Sequence, residues 1–131
     1  MNVGILLVTH GKLGHLLLDT LREMMPLELK ADVLEVRRVQ SHDVLLSQGK
    51  KMMERLNAGA GVLVLTDAYG STPSNIANML GSSYDMPVVS GVNLPMLVRI
   101  FNYPKQSLAE LTQTAVEGGR RGVFHCNDVA H

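Results

Sequence analysis

With one cysteine, Cys126, the chain cannot form an intramolecular disulfide, and a reducing, cytoplasmic setting is the expectation. Charge of neither sign prevails. Twelve Lys and Arg balance twelve Asp and Glu, so no global field draws the protein to nucleic acid or to an anionic membrane. The opening apolar run, Val3 to Val8, is too short to span a bilayer, and it lacks the basic leader and small-residue cleavage site of a signal peptide. Low-complexity stretches, long linkers and internal repeats are missing too. The 131 residues are therefore expected to form a single domain, residues 1–131, burying roughly two-thirds of the surface that the unfolded chain exposes.

What is present is an alternation of strand and helix patterns. Val3 to Val8 is an apolar run that ends in Thr9-His10-Gly11, and Leu17, Leu18, Leu21, Met24 and Met25 follow at one-face helical spacing until Pro26. Asp32 to Val39 mixes β-branched residues with charge, which suits a strand near a sheet edge. Ser41 is placed to cap a second helix carrying Leu45, Met52, Met53 and Leu56, which Asn57 to Gly61 stops. A second buried strand, Val62 to Leu65, leads through Thr66 to Asp67. Thr72-Pro73 reads as the N-cap and first residue of a third helix carrying Ile76, Met79 and Leu80 and ending at Gly81. Pro87 to Val89 is a short strand, Leu94 to Val98 starts a fourth helix, and Ser107-x-x-Glu110 is a capping box for a fifth, expected to stop at Gly118-Gly119. Gly122 to Cys126 is expected to form a last strand. The pattern implies an α/β fold, a three-layer sandwich with a mainly parallel central sheet.

In such a sheet, chemistry collects beyond the carboxyl ends of the strands. His10 and Asp67 both lie at strand ends, and Gly70-Ser71-Thr72-Pro73 begins a helix just after Asp67. Imidazoles ordinarily titrate near pH 6.5 (about that value in model peptides), so a neutral histidine is a competent nucleophile. A carboxylate on one ring nitrogen fixes the tautomer and stabilises the cation formed when the other is substituted. The helix N-terminus favours an anion, with Ser71 and Thr72 adding hydroxyls. Phosphoryl transfer asks for little else. A lone histidine at a strand end is more often structural, and Gly-Ser-Thr-Pro is a common way to start a helix. Their combination carries the reading.

Competing chemistries fit less well. Gly11-x-x-Gly14 lacks the first glycine of a dinucleotide fingerprint, and no Walker sequence is present, so ATP is not the expected direct donor. A receiver phosphorylated on Asp67 would need an acidic pair at the end of the first strand, where Thr9-His10 stands. Lys12 could act as a point charge near a phosphate, His15 and His42 open helices, and His125, Cys126 and His131 lack a recognisable metal-ligand spacing. No metal or cofactor is expected.

Gly4-Ile5-x-x-Val8-Thr9-His10-Gly11, Asp67-x-x-Gly70-Ser71-Thr72-Pro73-x-Asn75 and Gly91-Val92-Asn93-Leu94-Pro95-Met96-Leu97 occur in this order. Together they resemble the enzyme IIA domain of the mannose-type phosphoenolpyruvate-dependent phosphotransferase system, over essentially the whole chain. The resemblance implies a cytoplasmic homodimer, with a C-terminal strand available for exchange between protomers. It implies that His10 is phosphorylated by the phosphohistidine of HPr, the histidine-containing phosphocarrier protein, and passes the group to an enzyme IIB component in sugar uptake. Asp67 would orient His10, and Gly11, Gly70, Ser71 and Thr72 would line the phosphate. The Val92 to Met96 loop would complete the rim, with Met24, Leu94 or Met96 exposed for docking. The sequence stops at His131 without a linker or IIB domain, so a free-standing component is expected. A regulatory phosphorelay, in which the state of His10 controls partner binding without sugar transport, is the alternative.

Overall fold

Continuous apolar strands need cover on both faces, and this sheet has it. In the computed structural model, which describes residues 1–128, β1 (Gly4–His10) and β3 (Val62–Thr66) are buried almost throughout. Two further strands, β2 (Ala31–Val36) and β4 (Val88–Val89), complete an all-parallel sheet in the order β2-β1-β3-β4. Side chains alternate between two cores. Ile5, Leu7, Val33, Leu63 and Leu65 face α1 (Leu13–Met24), α4 (Leu94–Asn102) and α5 (Leu108–Arg121). Leu6, Val8, Leu34, Val62 and Val64 face α2 (His42–Leu56) and α3 (Thr72–Tyr84). This is the expected three-layer sandwich, with the charged strand β2 at one edge.

Local signals act as expected where they are local in cause. Met25, preceding Pro26, is extended and ends α1. Ser41 Oγ accepts from Val44 N–H at the start of α2, and the Ser107–Glu110 capping box closes in both directions. Three boundaries move. β2 ends at Val36, three residues short of Val39, because Arg37 to Gln40 closes a turn. Ser71, not Thr72, caps α3, placing Thr72 and Pro73 in its first turn. That helix runs past Gly81 to Tyr84, where Asp85 takes a left-handed conformation, φ 53°.

The C-terminal region departs most. Gly118 and Gly119 do not end α5, which continues to Arg121. A Cβ on Gly118 would lie 2.5 Å from Arg99 Cγ, and one on Gly119 would lie 2.9 Å from Met96 Cε. These glycines let α5 approach α4, and packing outweighs their poor helix propensity. The strand expected over Gly122 to Cys126 is absent. Gly122 ends α5, Val123 and Phe124 are exposed, and Cys126–Asp128 forms a short 3-10 turn. A fifth strand needs an edge to pair with, and this segment leaves α5 without reaching one among the described residues. His131, and with it any grouping with His125 and Cys126, lies outside the described residues.

Candidate functional site

The strand order reverses direction between β1 and β3, because the crossover through α1 leads to one side of β1 and that through α2 to the other. A crevice opens beyond the strand ends at such a point. Val8 pairs with Thr66, so the two strands deliver His10 and Asp67 side by side although they are 57 positions apart. Two buried threonines hold this end. Thr66 Oγ1 donates to Val8 O at 2.8 Å, and Thr9 Oγ1 accepts from Gly14 N–H at 2.9 Å.

Asp67 grips His10 twice. Its Oδ2 accepts the His10 backbone N–H at 2.8 Å and stands 2.7 Å from His10 Nδ1, while Oδ1 accepts from Ala68 N–H at 2.7 Å. Burial pushes the Asp67 carboxyl up, but the hydrogen bonds from the His10 backbone and ring and from Ala68, with the His10 charge, outweigh it. The net effect holds Asp67 below the usual carboxylate range. An ionised carboxylate only accepts, so the shared proton belongs to Nδ1 and the lone pair to Nε2. The Asp67 side chain is 10% exposed and that of His10 is 59% exposed. The acid is sheltered and the ring open.

The other expected residues surround this pair unequally. Gly11 (φ 46°) and Gly70 (φ 85°) occupy left-handed backbone that other residues adopt only with strain, and a Cβ at either would meet nothing within 4 Å. Conformation, not crowding, accounts for glycine at these rim positions. Ser71 is turned inward: Oγ donates to Ala68 O at 2.6 Å and accepts from Ser74 N–H at 3.4 Å. Its hydroxyl proton is thus used within the turn. The loop after β4 joins the rim through its backbone, with Gly91 N–H on Asp67 O at 2.7 Å and Val92 N–H on Thr66 O at 3.0 Å. Asn93 caps α4 and donates to Gly119 O. Met24 is exposed as expected and Leu94 half-buried, but Met96 is buried against α5 and offers no docking surface.

Sequence reasoning missed one wall. A cavity of about 260 Å³ joins His10, Thr72 and Pro73 to Arg37, Arg38, Gln40 and His42 from the β2–α2 turn. The signal was present: Arg37-Arg38 directly follows Val36, the residue paired with His10. Only the strand order was lacking. His15 lies 3.7 Å from Glu35 in a solvated pair, and Lys12 stands exposed where α1 begins.

Residues 4–116, most of the chain, match the family model EIIA-man, described as the fructose IIA component of the phosphotransferase system. The chain belongs to this mannose-type IIA family. Among its relatives, the IIA chain is 29% identical over 126 residues to the mannose-specific EIIAB component of Escherichia coli K12. That alignment takes in 94% of the chain but 39% of the relative, so the chain spans well under half the length of the curated proteins it matches. The fold is shared with the mannose/sorbose-specific IIA subunit of Enterococcus faecalis, with a TM-score of 0.84, 22% identity, and coverage of 100% of this chain and 98% of that one. It is shared as well with a sigma-54 interaction domain protein of the same organism, with a TM-score of 0.71, 18% identity, and 92% and 93% coverage. Among the described residues, no helix is long and apolar enough to cross a membrane.

Proposed function

We propose that His10 takes a phosphoryl group from the phosphohistidine of HPr and passes it to an enzyme IIB component during sugar uptake, in the cytoplasm. The observation that carries this reading is the 2.7 Å contact between His10 Nδ1 and Asp67 Oδ2, which leaves the Nε2 lone pair on an open rim. Nε2 attacks the donor phosphorus, the donor's N–P bond breaks, and its electron pair returns to the donor imidazole. A new N–P bond forms on His10. The ring becomes cationic while it keeps its Nδ1 proton, and Asp67 offsets that charge. The second transfer repeats the exchange with the IIB nucleophile attacking. Thr72, in the first turn of α3, lines the phosphate position at the positive end of the helix dipole. Gly11 and Gly70, whose N–H groups are held by Val36 O and Ser74 Oγ, line it through their left-handed backbone. Ser71 lines it through its place in the turn.

Incubation with phosphoenolpyruvate, enzyme I and HPr tests this reading. The expected product carries a label that survives alkali, is lost in acid and does not form in His10→Ala, which stays folded because the side chain is exposed. A label destroyed by hydroxylamine would instead place the group on Asp67. Discharge of the label by IIB favours transport, and phosphorylation-dependent capture of another protein without IIB discharge favours the regulatory alternative. We include a homodimer in the proposal. The β4 edge carries no further strand among the described residues, and Val123 and Phe124 stand exposed nearby in sequence to α5. Sedimentation at equilibrium measures that state.

A further inference from the structure

The β2–α2 turn brings to His10 what the Asp67 side lacks, which is cationic side chains. Gly11 N–H donates to Val36 O at 3.0 Å, stitching the residue after His10 to the end of β2, and Arg37 and Arg38 follow at once. The turn is closed twice. Gln40 N–H donates to Arg37 O at 3.2 Å, and Gln40 Oε1 accepts from Arg37 N–H at 3.0 Å. Ser41 then caps α2, whose first residue is His42.

The two arginines are used differently. The Arg37 guanidinium is engaged by Glu35 at 3.0 Å. Arg38 lines the cavity it shares with His10, His42 and Thr72, and among the described residues it has neither an ion-pair partner nor a side-chain hydrogen bond. A guanidinium has five N–H donors in a planar fork that matches paired phosphoryl oxygens, and it keeps its charge at any working pH. The walls of the cavity add an imidazole and the first turns of two helices. None of its lining residues is acidic.

We propose that Arg38, assisted by His42, clamps the phosphoryl group carried on His10 Nε2, its N–H groups donating to the phosphoryl oxygens while Asp67 holds the opposite ring nitrogen. This rests on the reading of His10 as the phosphorylated residue. The clamp adds no bond-making step. It neutralises phosphoryl charge, so it shifts the equilibrium with the donor toward the phosphorylated protein and lowers the second ionisation of the bound group. The same turn could instead serve only to dock an acidic surface of the donor protein, and the test separates the two uses.

Wild type, Arg38→Gln and Arg38→Lys are phosphorylated with phosphorylated HPr and, separately, with phosphoramidate, a small donor that needs no protein docking. The phosphohistidine is then titrated by phosphorus NMR. With the clamp, Arg38→Gln loses about tenfold in phosphoryl acceptance from both donors. Its phosphorus titration moves up by about one pH unit. Arg38→Lys recovers part of each, as a point charge without the fork, and His42→Gln shows the same changes at smaller size. Loss with HPr alone, with the phosphoramidate rate and the phosphorus titration unchanged, overturns the clamp in favour of docking. No change with either donor, in a wild type that labels normally on His10, overturns the clamp and leaves the His10 reading intact. Failure of the wild type to label on His10 overturns both.

Discussion

Two turns meet at His10, and they are built in opposite ways. The β3–α3 turn uses its polar groups on itself: Asp67 takes the His10 and Ala68 N–H groups, Ser71 bonds Ala68 and Ser74, and Gly70 N–H reaches Ser74 Oγ. The β2–α2 turn closes its backbone through Gln40 and leaves the Arg38 and His42 side chains exposed. Internal satisfaction makes the first turn rigid, which suits it to orient a ring. Charge left unpaired makes the second responsive, which suits it to meet an anion that comes and goes. The proposed phosphoryl carrier would need both, and a single loop could not supply them, because a donor already bonded inside the protein is not available to a phosphoryl oxygen.

The contrast can be broken from the orienting side first. Asp67→Ala should slow phosphoryl transfer by roughly a hundredfold to ten-thousandfold, the range for losing a positioned catalytic group, as read by rapid-quench labelling. Arg38→Gln, at about tenfold, should fall well below that. Full activity in Asp67→Ala would leave Asp67 a purely structural role and remove the distinction between the turns.

Ser71→Ala sharpens the comparison. Its hydroxyl caps α3 and ties Ala68, so the variant should lose about 1 kcal/mol of stability in urea unfolding. The transfer rate should change by less than in Arg38→Gln. A rate loss as large as that of Asp67→Ala, at unchanged stability, would show that the Ser71 hydroxyl meets the phosphate directly.

The smallest effect is in pH. The folded state holds the Asp67 carboxyl below its ordinary value, so the unfolded chain takes up this proton first as the solution is acidified. The stabilisation is then complete above the unfolded carboxylate pKa of about 3.9, and it is lost as pH falls through the folded value. The gap in melting temperature between wild type and Asp67→Asn, open at neutral pH, should close in this acid range. A gap that stays constant with pH would mean that the His10 contacts do not favour the ionised form.

Reading the chain alone recovers most elements, and it picks out His10 and Asp67 as the strand-end pair that the structure brings into contact. Caps at Ser41 and Ser107 and the stop before Pro26 are contained within a few residues, so they can be read directly. Errors fall where a residue answers to something distant. Gly118 and Gly119 look like a helix stop until α4 is placed against them, and Met96 looks available for docking until α5 covers it. The missing strand after Gly122 belongs here too, since β-branched residues make a strand only where an edge is within reach. Arg37 and Arg38 were visible as charges but not as neighbours of His10.

By itself, then, the sequence determined the alternation of buried strands and amphipathic helices, since apolar periodicity and capping act over a turn or two. It determined as well that a histidine and a carboxylate would each finish a buried strand. The tertiary structure alone decided that β1 lies between β2 and β3, and with it that His10 meets Asp67 on one side and the Arg38 turn on the other. Strand order is settled by burying both faces of the sheet at once, a condition on the whole chain that no short stretch of it contains.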